Sequence, residues 1–161
     1  METLQEISRR TVECFTRSGK TLGTAESLTA GMIAASLGGI SGASAVLMGG
    51  IVSYDPRIKH ELLQVPQEII DTVGVVSAPC ARQMALGARQ ALGVDIAVSA
   101  TGFAGPTGGT PEAPVGTVFV GVSSPAGTRV QECHFTGDRQ SVREQSVIAA
   151  LTLALEEVGE V

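Results

Sequence analysis

The stretch Ser77–Thr101, SAPCARQMALGARQALGVDIAVSAT, contains one helix followed by one strand, and this pairing decides the fold class. Ser77 is a good N-cap and Gly93 can end a helix, which predicts a helix over about 78–92. Val94–Thr101 predicts the strand that follows. Repeated helix–strand pairs of this kind are typical of an α/β domain.

The same alternation extends in both directions from this stretch. Upstream, we predict helices over about 2–18 and 29–38, helices beginning at Asp55-Pro56 and near Pro66, a short strand at Thr21–Ala25 and a buried strand at Ala45–Ser53. Downstream, we predict a hairpin of Gly116–Ser123 and Thr128–Phe135, joined by the turn Ser124–Gly127, and a last helix capped by Asp138. This pattern predicts a single domain over residues 1–161: a three-layer α/β/α domain with a mixed, mostly parallel five-stranded sheet.

Composition and charge restrict the classes of function. A chain of 161 residues with 43% hydrophobic and 17% charged residues is long enough for one aliphatic core. A net charge of −5 and only 3% aromatic residues argue against nucleic-acid binding. No apolar run approaches the roughly 18 residues of a membrane span, and the charged N-terminus does not resemble a signal peptide. Three scattered cysteines without a CxxC pair predict a reduced, cytoplasmic chain with no metal site.

Ser27 is the first candidate for chemistry, because it lies where the first predicted strand turns into a helix. Free backbone N–H groups at a helix N-terminus can stabilise an oxyanion or hold an anion. The alternative is that Ser27 or Thr29 only caps the helix.

Tyr54 and Lys59 form the second candidate. If Asp55 is the N-cap of its helix, these two residues occupy the positions that contact each other in a hydrophobic staple. Lys59 then either packs over the ring of Tyr54, or is desolvated enough to act as a base towards a nucleophile.

The third candidate combines the loop Gly102–Gly116, rich in Gly and Pro, with Arg139. Long loops without periodicity in compact domains are often functional, and in open α/β sheets ligands bind beyond the carboxyl ends of strands. Arg139 lies at the N-terminus of the last predicted helix, which is the unfavourable end for a cation. It either binds a phosphate or forms a surface salt bridge.

These segments together resemble the C-terminal domain of the CinA (competence/damage-inducible) family. The resemblance rests on Thr24–Ser27 with Thr29 and Gly31, Gly50–Lys59, Val76–Pro79, Thr101–Pro106 with Gly108-Gly109, Pro114–Val118 and Phe135–Arg139, in the family order. The family often has Cys where this chain has Leu28, and Gly where it has Ala30. Its fold is of the anticodon-binding-domain type, which agrees with the mixed sheet predicted above.

The resemblance implies an activity, because stand-alone members of the family act as nicotinamide-nucleotide amidohydrolases. The implied reaction converts the carboxamide of nicotinamide mononucleotide (NMN) to a carboxylate and ammonia, without metal or cofactor. Ser27, Lys59 and Tyr54 are the implied catalytic residues, with Ser27 as nucleophile, Lys59 as base and Tyr54 orienting Lys59. This role requires the pKa of Lys59 to fall from about 10.4 towards neutrality. The expected substrate contacts come from Glu26, Thr29, Thr101, Gly102, Gly105 and Arg139.

Two alternatives remain open at this level. The chain could be a non-catalytic nucleotide-binding or competence-associated interaction module, in which Ser27 only caps and the loop only binds. The second alternative is nucleic-acid binding, which rests only on analogy of fold. The acidic net charge and the small number of aromatic residues argue against it. We expect a homo-oligomer that acts on a small pyridine nucleotide, with neither nucleic acid nor a membrane as partner.

Overall fold

A computed structural model describes residues 1–159 as a sheet with helices on both faces. The helices are α1 Leu4–Ser18, α2 Met32–Gly38, α3 Pro56–Leu63, α4 Gln67–Asp71, α5 Ala78–Leu92 and α6 Arg139–Glu157, with a short 3-10 turn at Ala43–Ala45. The strands are β1 Leu22–Glu26, β2 Leu47–Val52, β3 Ile96–Gly102, β4 Thr117–Ser124 and β5 Gly127–His134. None of the helices within residues 1–159 is both long and apolar enough to cross a membrane.

The strands lie in the order β2-β1-β3-β4-β5. β1 is parallel to both β2 and β3, whereas β4 is antiparallel to both β3 and β5. Four strands therefore run in one direction and β4 alone is reversed, so the predicted mixed, mostly parallel sheet is confirmed. The carboxyl ends of β1, β2, β3 and β5 consequently meet at one edge of the sheet.

The core lies on both faces of this sheet. On one face, α6 packs aliphatic residues against β3 and β4, and α2 packs against β1 and β2. Helix α1, which carries the buried Phe15, packs against α2 and α6. On the other face, α3 and α5 pack Leu63 and Met84 against Ala25 and Ala97 of the inner strands. This arrangement gives the three predicted layers.

Three predicted helix starts are confirmed by their caps. The side chains of Asp55, Ser77 and Asp138 accept hydrogen bonds from the backbone N–H groups of the first turns of α3, α5 and α6. Such caps satisfy donors that the helix itself leaves free.

The prediction of a helix over 29–38 is wrong at its start. Ala30 and Gly31 have left-handed backbone with φ of 48° and 96°, which a right-handed helix cannot include. Helix α2 therefore begins at Met32, with Gly31 as an N-cap that offers no side-chain hydrogen bond. Neither Ser27 nor Thr29 caps α2.

The prediction that Ala45–Ser53 is a buried strand is also wrong. β2 is an edge strand with a single neighbour, and its residues alternate between half-buried and exposed. Met48 and Val52 are 48% and 50% exposed. An apolar run alone does not distinguish a central strand from an edge strand, because burial depends on strand order.

Gly87 controls how closely α3 approaches α5. A Cβ added to Gly87 would lie 2.1 Å from the Leu63 carbonyl oxygen, at the end of α3. The Gln83 amide donates a hydrogen bond to the same oxygen at 3.1 Å. Since α3 also carries Lys59, this contact sets the position of Lys59 relative to the sheet.

We expect Gly87→Ala to lower the free energy of unfolding by about 1–3 kcal/mol, because the added methyl overpacks a backbone contact. Gly38→Ala is the matched control: Gly38 also lies in a helix, but nothing is within 4 Å of its added Cβ. That control should be neutral or stabilising by up to ~1 kcal/mol. Denaturant unfolding measures the free energy of unfolding of both variants. Equal changes in Gly87→Ala and Gly38→Ala would contradict the close approach of α3 to Gly87.

Candidate active site

The candidate site lies at the edge where the parallel strands end. Ser27 directly follows β1, Ser53 and Tyr54 follow β2, and Thr101 and Gly102 end β3. A cavity of about 210 Å³ opens there. Ser27, Tyr54, Lys59, Thr101, Gly102, Gly105 and Arg139, seven of the nine residues predicted from sequence, line it.

Ser27 is held by the last hydrogen bond of the β1–β3 pair. Its N–H donates to the Ala100 carbonyl at 3.0 Å, and the residue is 9% exposed. Its Oγ accepts a hydrogen bond from Lys59 Nζ at 2.9 Å. The hydroxyl is therefore buried beside an amine, at the wall of a cavity open to solvent.

Lys59 extends from α3 into the protein and is only 1% exposed. Besides Ser27, its Nζ contacts the carbonyl oxygens of Ser53 at 2.6 Å and Tyr54 at 3.2 Å. Ser53 is itself fixed because its N–H donates to the Glu26 carbonyl at 2.7 Å. The ends of β1 and β2 thus place all three acceptors around the amine.

The amine has no counter-ion among residues 1–159. Desolvation lowers the pKa of Lys59, and the charges of Cys80 and Asp55 oppose this shift more weakly. Burial raises the pKa of the Cys80 thiol to about 11, so that this group is uncharged near neutral pH. The environment of Lys59 therefore favours the neutral amine.

The three contacts suit both protonation states. An ammonium can donate all three hydrogens to Ser27 Oγ and the two carbonyls. A neutral amine can donate two hydrogens to the carbonyls and accept the Ser27 hydroxyl proton on its lone pair. A proton can thus pass between Oγ and Nζ without movement of heavy atoms.

Tyr54 contacts Lys59 through its backbone and not through its side chain. The ring is 55% exposed, and its hydroxyl accepts a hydrogen bond from Arg139 Nη2 at 3.0 Å. The expectation that the Tyr54 hydroxyl orients Lys59 is therefore not met, because Lys59 points inward while the ring of Tyr54 turns outward. For the same reason, Lys59 does not pack over the ring.

Arg139 is the first residue of α6, as predicted, and lies exposed at the mouth of the cavity. Its Nη1 donates to the Gly105 carbonyl at 2.9 Å, which joins α6 to the Gly/Pro loop. No carboxylate pairs with it among residues 1–159. The salt-bridge alternative is therefore wrong, and the guanidinium is available to an anion.

Two predicted substrate contacts lie elsewhere. The Glu26 carboxylate is buried and accepts from the N–H groups of Ile33 and Ala34 at 2.8 and 3.0 Å, so it stabilises the N-terminus of α2. Thr29 is fully buried outside the cavity wall. Thr101 does line the cavity, but its hydroxyl donates to the Val75 carbonyl at 2.8 Å.

The apolar wall of the cavity was predicted only in part, because only Phe103 and Ala104 of this wall lie in the predicted Gly/Pro loop. This wall is formed by Leu28, Val75, Val76, Phe103 and Ala104. Val75 and Val76 precede the N-cap of α5 and lay outside every predicted element. Their position directly before Ser77 was the available signal, because the start of α5 also lies at this edge.

The profile of the CinA C-terminal domain matches residues 4–158. The chain belongs to the CinA C-terminal domain family. A CinA-like protein of Citrifermentans bemidjiense is 46% identical over 150 residues, which cover 93% of this chain and 36% of that protein. A CinA-like protein of Dictyoglomus thermophilum is 42% identical over 149 residues, again 36% of its length. This chain thus spans about a third of the length of these relatives.

Solved structures of the CinA superfamily share the whole fold. The competence/damage inducible protein CihA of Agrobacterium tumefaciens has a TM-score of 0.93 and 37% identity, covering 98% of this chain and 96% of that one. The competence damage-inducible protein A of Klebsiella pneumoniae has a TM-score of 0.94 and 30% identity, covering 98% of each chain.

The family's frequent Gly at position 30 has a structural reason in this CinA domain. Ala30 adopts φ of 48°, a conformation that costs an L-residue roughly 1–2 kcal/mol and a glycine almost nothing. The methyl of Ala30 is exposed and does not line the cavity. The substitution therefore leaves the space around Ser27 unchanged.

The lowered pKa of Lys59 predicts a pH-dependent stability. Where the folded protein has lost this proton and the unfolded chain still binds it, stability rises with pH, by up to about 1.4 kcal/mol per unit. Lys59→Met removes the titrating group. We expect the unfolding free energy of the wild type, minus that of Lys59→Met, to increase as the pH rises towards 10.5, the ordinary lysine value.

The Cys80 thiol also titrates in the unfolded chain over this range, but it is present in both proteins, so its contribution largely cancels in the difference. Lys20→Met, which removes one positive charge at an exposed position, is the control and should not reproduce the effect. Denaturant titrations at each pH give the slopes. A difference between wild type and Lys59→Met that stays constant with pH would show an amine protonated throughout.

Proposed function

We propose that this CinA domain hydrolyses the carboxamide of nicotinamide mononucleotide to nicotinic acid mononucleotide and ammonia. The observation that carries the proposal is the 2.9 Å contact between the buried Lys59 amine and Ser27 Oγ at the wall of an open cavity. Amide hydrolysis needs a nucleophile with a base beside it, and this pair supplies both.

In the first half-reaction, Lys59 Nζ takes the hydroxyl proton as Ser27 Oγ attacks the carboxamide carbon. The resulting tetrahedral intermediate collapses when the C–N bond breaks, and Lys59 gives the proton to the departing nitrogen. Ammonia leaves, and the nicotinoyl group remains as an ester on Ser27. The neutral amine favoured by burial is the form that can start this cycle.

In the second half-reaction, water attacks the ester while Lys59 Nζ takes its proton. The C–O bond to Ser27 then breaks, and the proton returns to Oγ. The product is a carboxylate, and the Ser27–Lys59 pair is restored. The hydrogen bond between Ser27 Oγ and Lys59 Nζ thus carries a proton towards Lys59 in the first half-reaction and back to Ser27 in the second.

The developing oxyanion needs N–H donors. Among residues 1–159, neither the Leu28 nor the Thr29 N–H has an acceptor, and both directly follow the nucleophile. The N–H of the residue after a nucleophilic serine is a common oxyanion donor. We assign the oxyanion to the Leu28 N–H, because Leu28 lines the cavity whereas Thr29 is fully buried outside it.

The remaining walls match the rest of the substrate. The apolar surface of Leu28, Val75, Val76 and Phe103 fits a pyridinium ring. Arg139 at the cavity mouth offers guanidinium hydrogens to a phosphate. Both features favour a pyridine mononucleotide over a simple amide.

The decisive test incubates the purified chain with NMN and measures ammonia and nicotinic acid mononucleotide. We expect Ser27→Ala to abolish turnover and Lys59→Met to lower it by at least ~100-fold, with both variants folded and able to bind NMN. Wild-type kcat/KM should rise with pH along a limb that reports deprotonation of Lys59. Saturable NMN binding without ammonia from the wild type would instead support a non-catalytic binding module.

Arg139→Met should raise KM for NMN more than it lowers kcat, because a distant phosphate contact stabilises ground state and transition state alike. Nicotinamide riboside, which lacks the phosphate, is the matched substrate. Its KM should change little in this variant. Equal losses with NMN and riboside would contradict the phosphate contact.

A further inference from the structure

Arg143 lies one turn after Arg139 on α6, half-buried, and reaches across to the turn that follows Ser27. Its Nε donates to the Leu28 carbonyl at 2.9 Å and its Nη2 to the Thr29 carbonyl at 3.2 Å. Its Nη1 contacts Gln140 Oε1 at 3.2 Å. No carboxylate pairs with Arg143 among residues 1–159, and it does not line the cavity.

These contacts fix the direction of backbone N–H groups as well as carbonyls. In a trans peptide the N–H points opposite to the C=O of the same unit. Holding the Thr29 carbonyl therefore fixes the Ala30 N–H, which belongs to the same peptide unit. The Leu28 N–H is fixed in the same way, because the Ser27 carbonyl accepts from the Ala30 N–H at 3.0 Å.

The turn needs such support because its backbone is unfavourable. Ala30 is one of two non-glycine residues with positive φ in residues 1–159, and Gly31 follows in the same region. A turn that contains a left-handed alanine has alternatives of lower local energy. The planar fork of Arg143 binds two successive carbonyls and favours this one arrangement.

We propose that Arg143 is a positioning residue, which preorganises the Leu28 N–H as an oxyanion donor without touching the substrate. The proposal rests on the function proposed above. Oxyanion donors act mainly on the transition state, and loss of one typically costs 10²–10³-fold in kcat. Without Arg143 the oxyanion donor remains but is misoriented, which costs less than removing it. We therefore expect kcat of Arg143→Met to fall about 10–100-fold, while its KM stays within threefold of the wild-type value.

The experiment compares Arg143→Met with Arg139→Met, two arginines one turn apart on the same helix. Arg143→Met should lower kcat for NMN, whereas Arg139→Met should mainly raise KM. Arg143→Lys keeps the charge but lacks the planar fork that bonds both carbonyls at once, so its kcat should lie between those of wild type and Arg143→Met. If Arg143→Met does not fold, Arg143→Lys alone decides. A folded Arg143 variant with wild-type kcat, or with a change in KM alone, would overturn the proposal.

A fluorophosphonate probe separates this inference from the identity of the substrate. Ser27 Oγ forms the bond to phosphorus, fluoride leaves, the proton goes to Lys59, and the developing negative charge on oxygen needs the same donor. Labelling of Ser27 should be at least tenfold slower in Arg143→Met and unchanged in Arg9→Met, which replaces an exposed arginine outside the cavity. If the wild type is labelled but releases no ammonia from NMN, the proposed function fails while the labelling rates still test Arg143. If the wild type neither labels nor turns over NMN, both proposals are wrong.

Discussion

The hydrogen bond between Lys59 Nζ and Ser27 Oγ is the interaction on which the rest of this site depends. The amine is almost fully buried, faces a hydroxyl and two carbonyls, and has no carboxylate partner among residues 1–159. Removing a lysine from water in this way disfavours its charged form, and an opposite charge would cancel that effect. The absence of such a charge among these residues therefore supports the proposed roles of the pair as nucleophile and base.

The fold supplies this environment with backbone rather than with charged side chains. The parallel ends of β1 and β2 bring the Ser53 and Tyr54 carbonyls to one point, and the close approach at Gly87 sets α3 at the depth that buries Lys59. Arg143 likewise contacts backbone, because it donates hydrogen bonds to the Leu28 and Thr29 carbonyls of the turn after Ser27. The charged side chains lie further from the amine. Glu26 stabilises the N-terminus of α2, and Arg139 lies at the cavity mouth.

Much of this arrangement could be predicted from sequence, because local signals determine it. Caps at Asp55, Ser77 and Asp138 indicated the helix starts. The strand-to-helix turn indicated Ser27, the position four residues after the Asp55 cap indicated Lys59, and the rule that ligands bind at strand ends indicated the Gly/Pro loop. Long-range geometry explains what could not be predicted. Glu26 caps a helix seven residues downstream, the hydroxyl of Tyr54 meets a residue 85 positions away, and the exposure of β2 depends on strand order. None of these contacts leaves a periodic signal in the chain.

We infer that burial lowers the pKa of Lys59 in the folded protein, and NMR of lysine labelled with ¹³C at Cε measures this pKa. The chain contains only two lysines, so the Lys59 signal is assigned by its loss in Lys59→Met, and the exposed Lys20 serves as internal reference. We expect the Lys59 signal to titrate below the ordinary lysine value of 10.5. A Lys59 signal that remains that of an ammonium up to this value would contradict it.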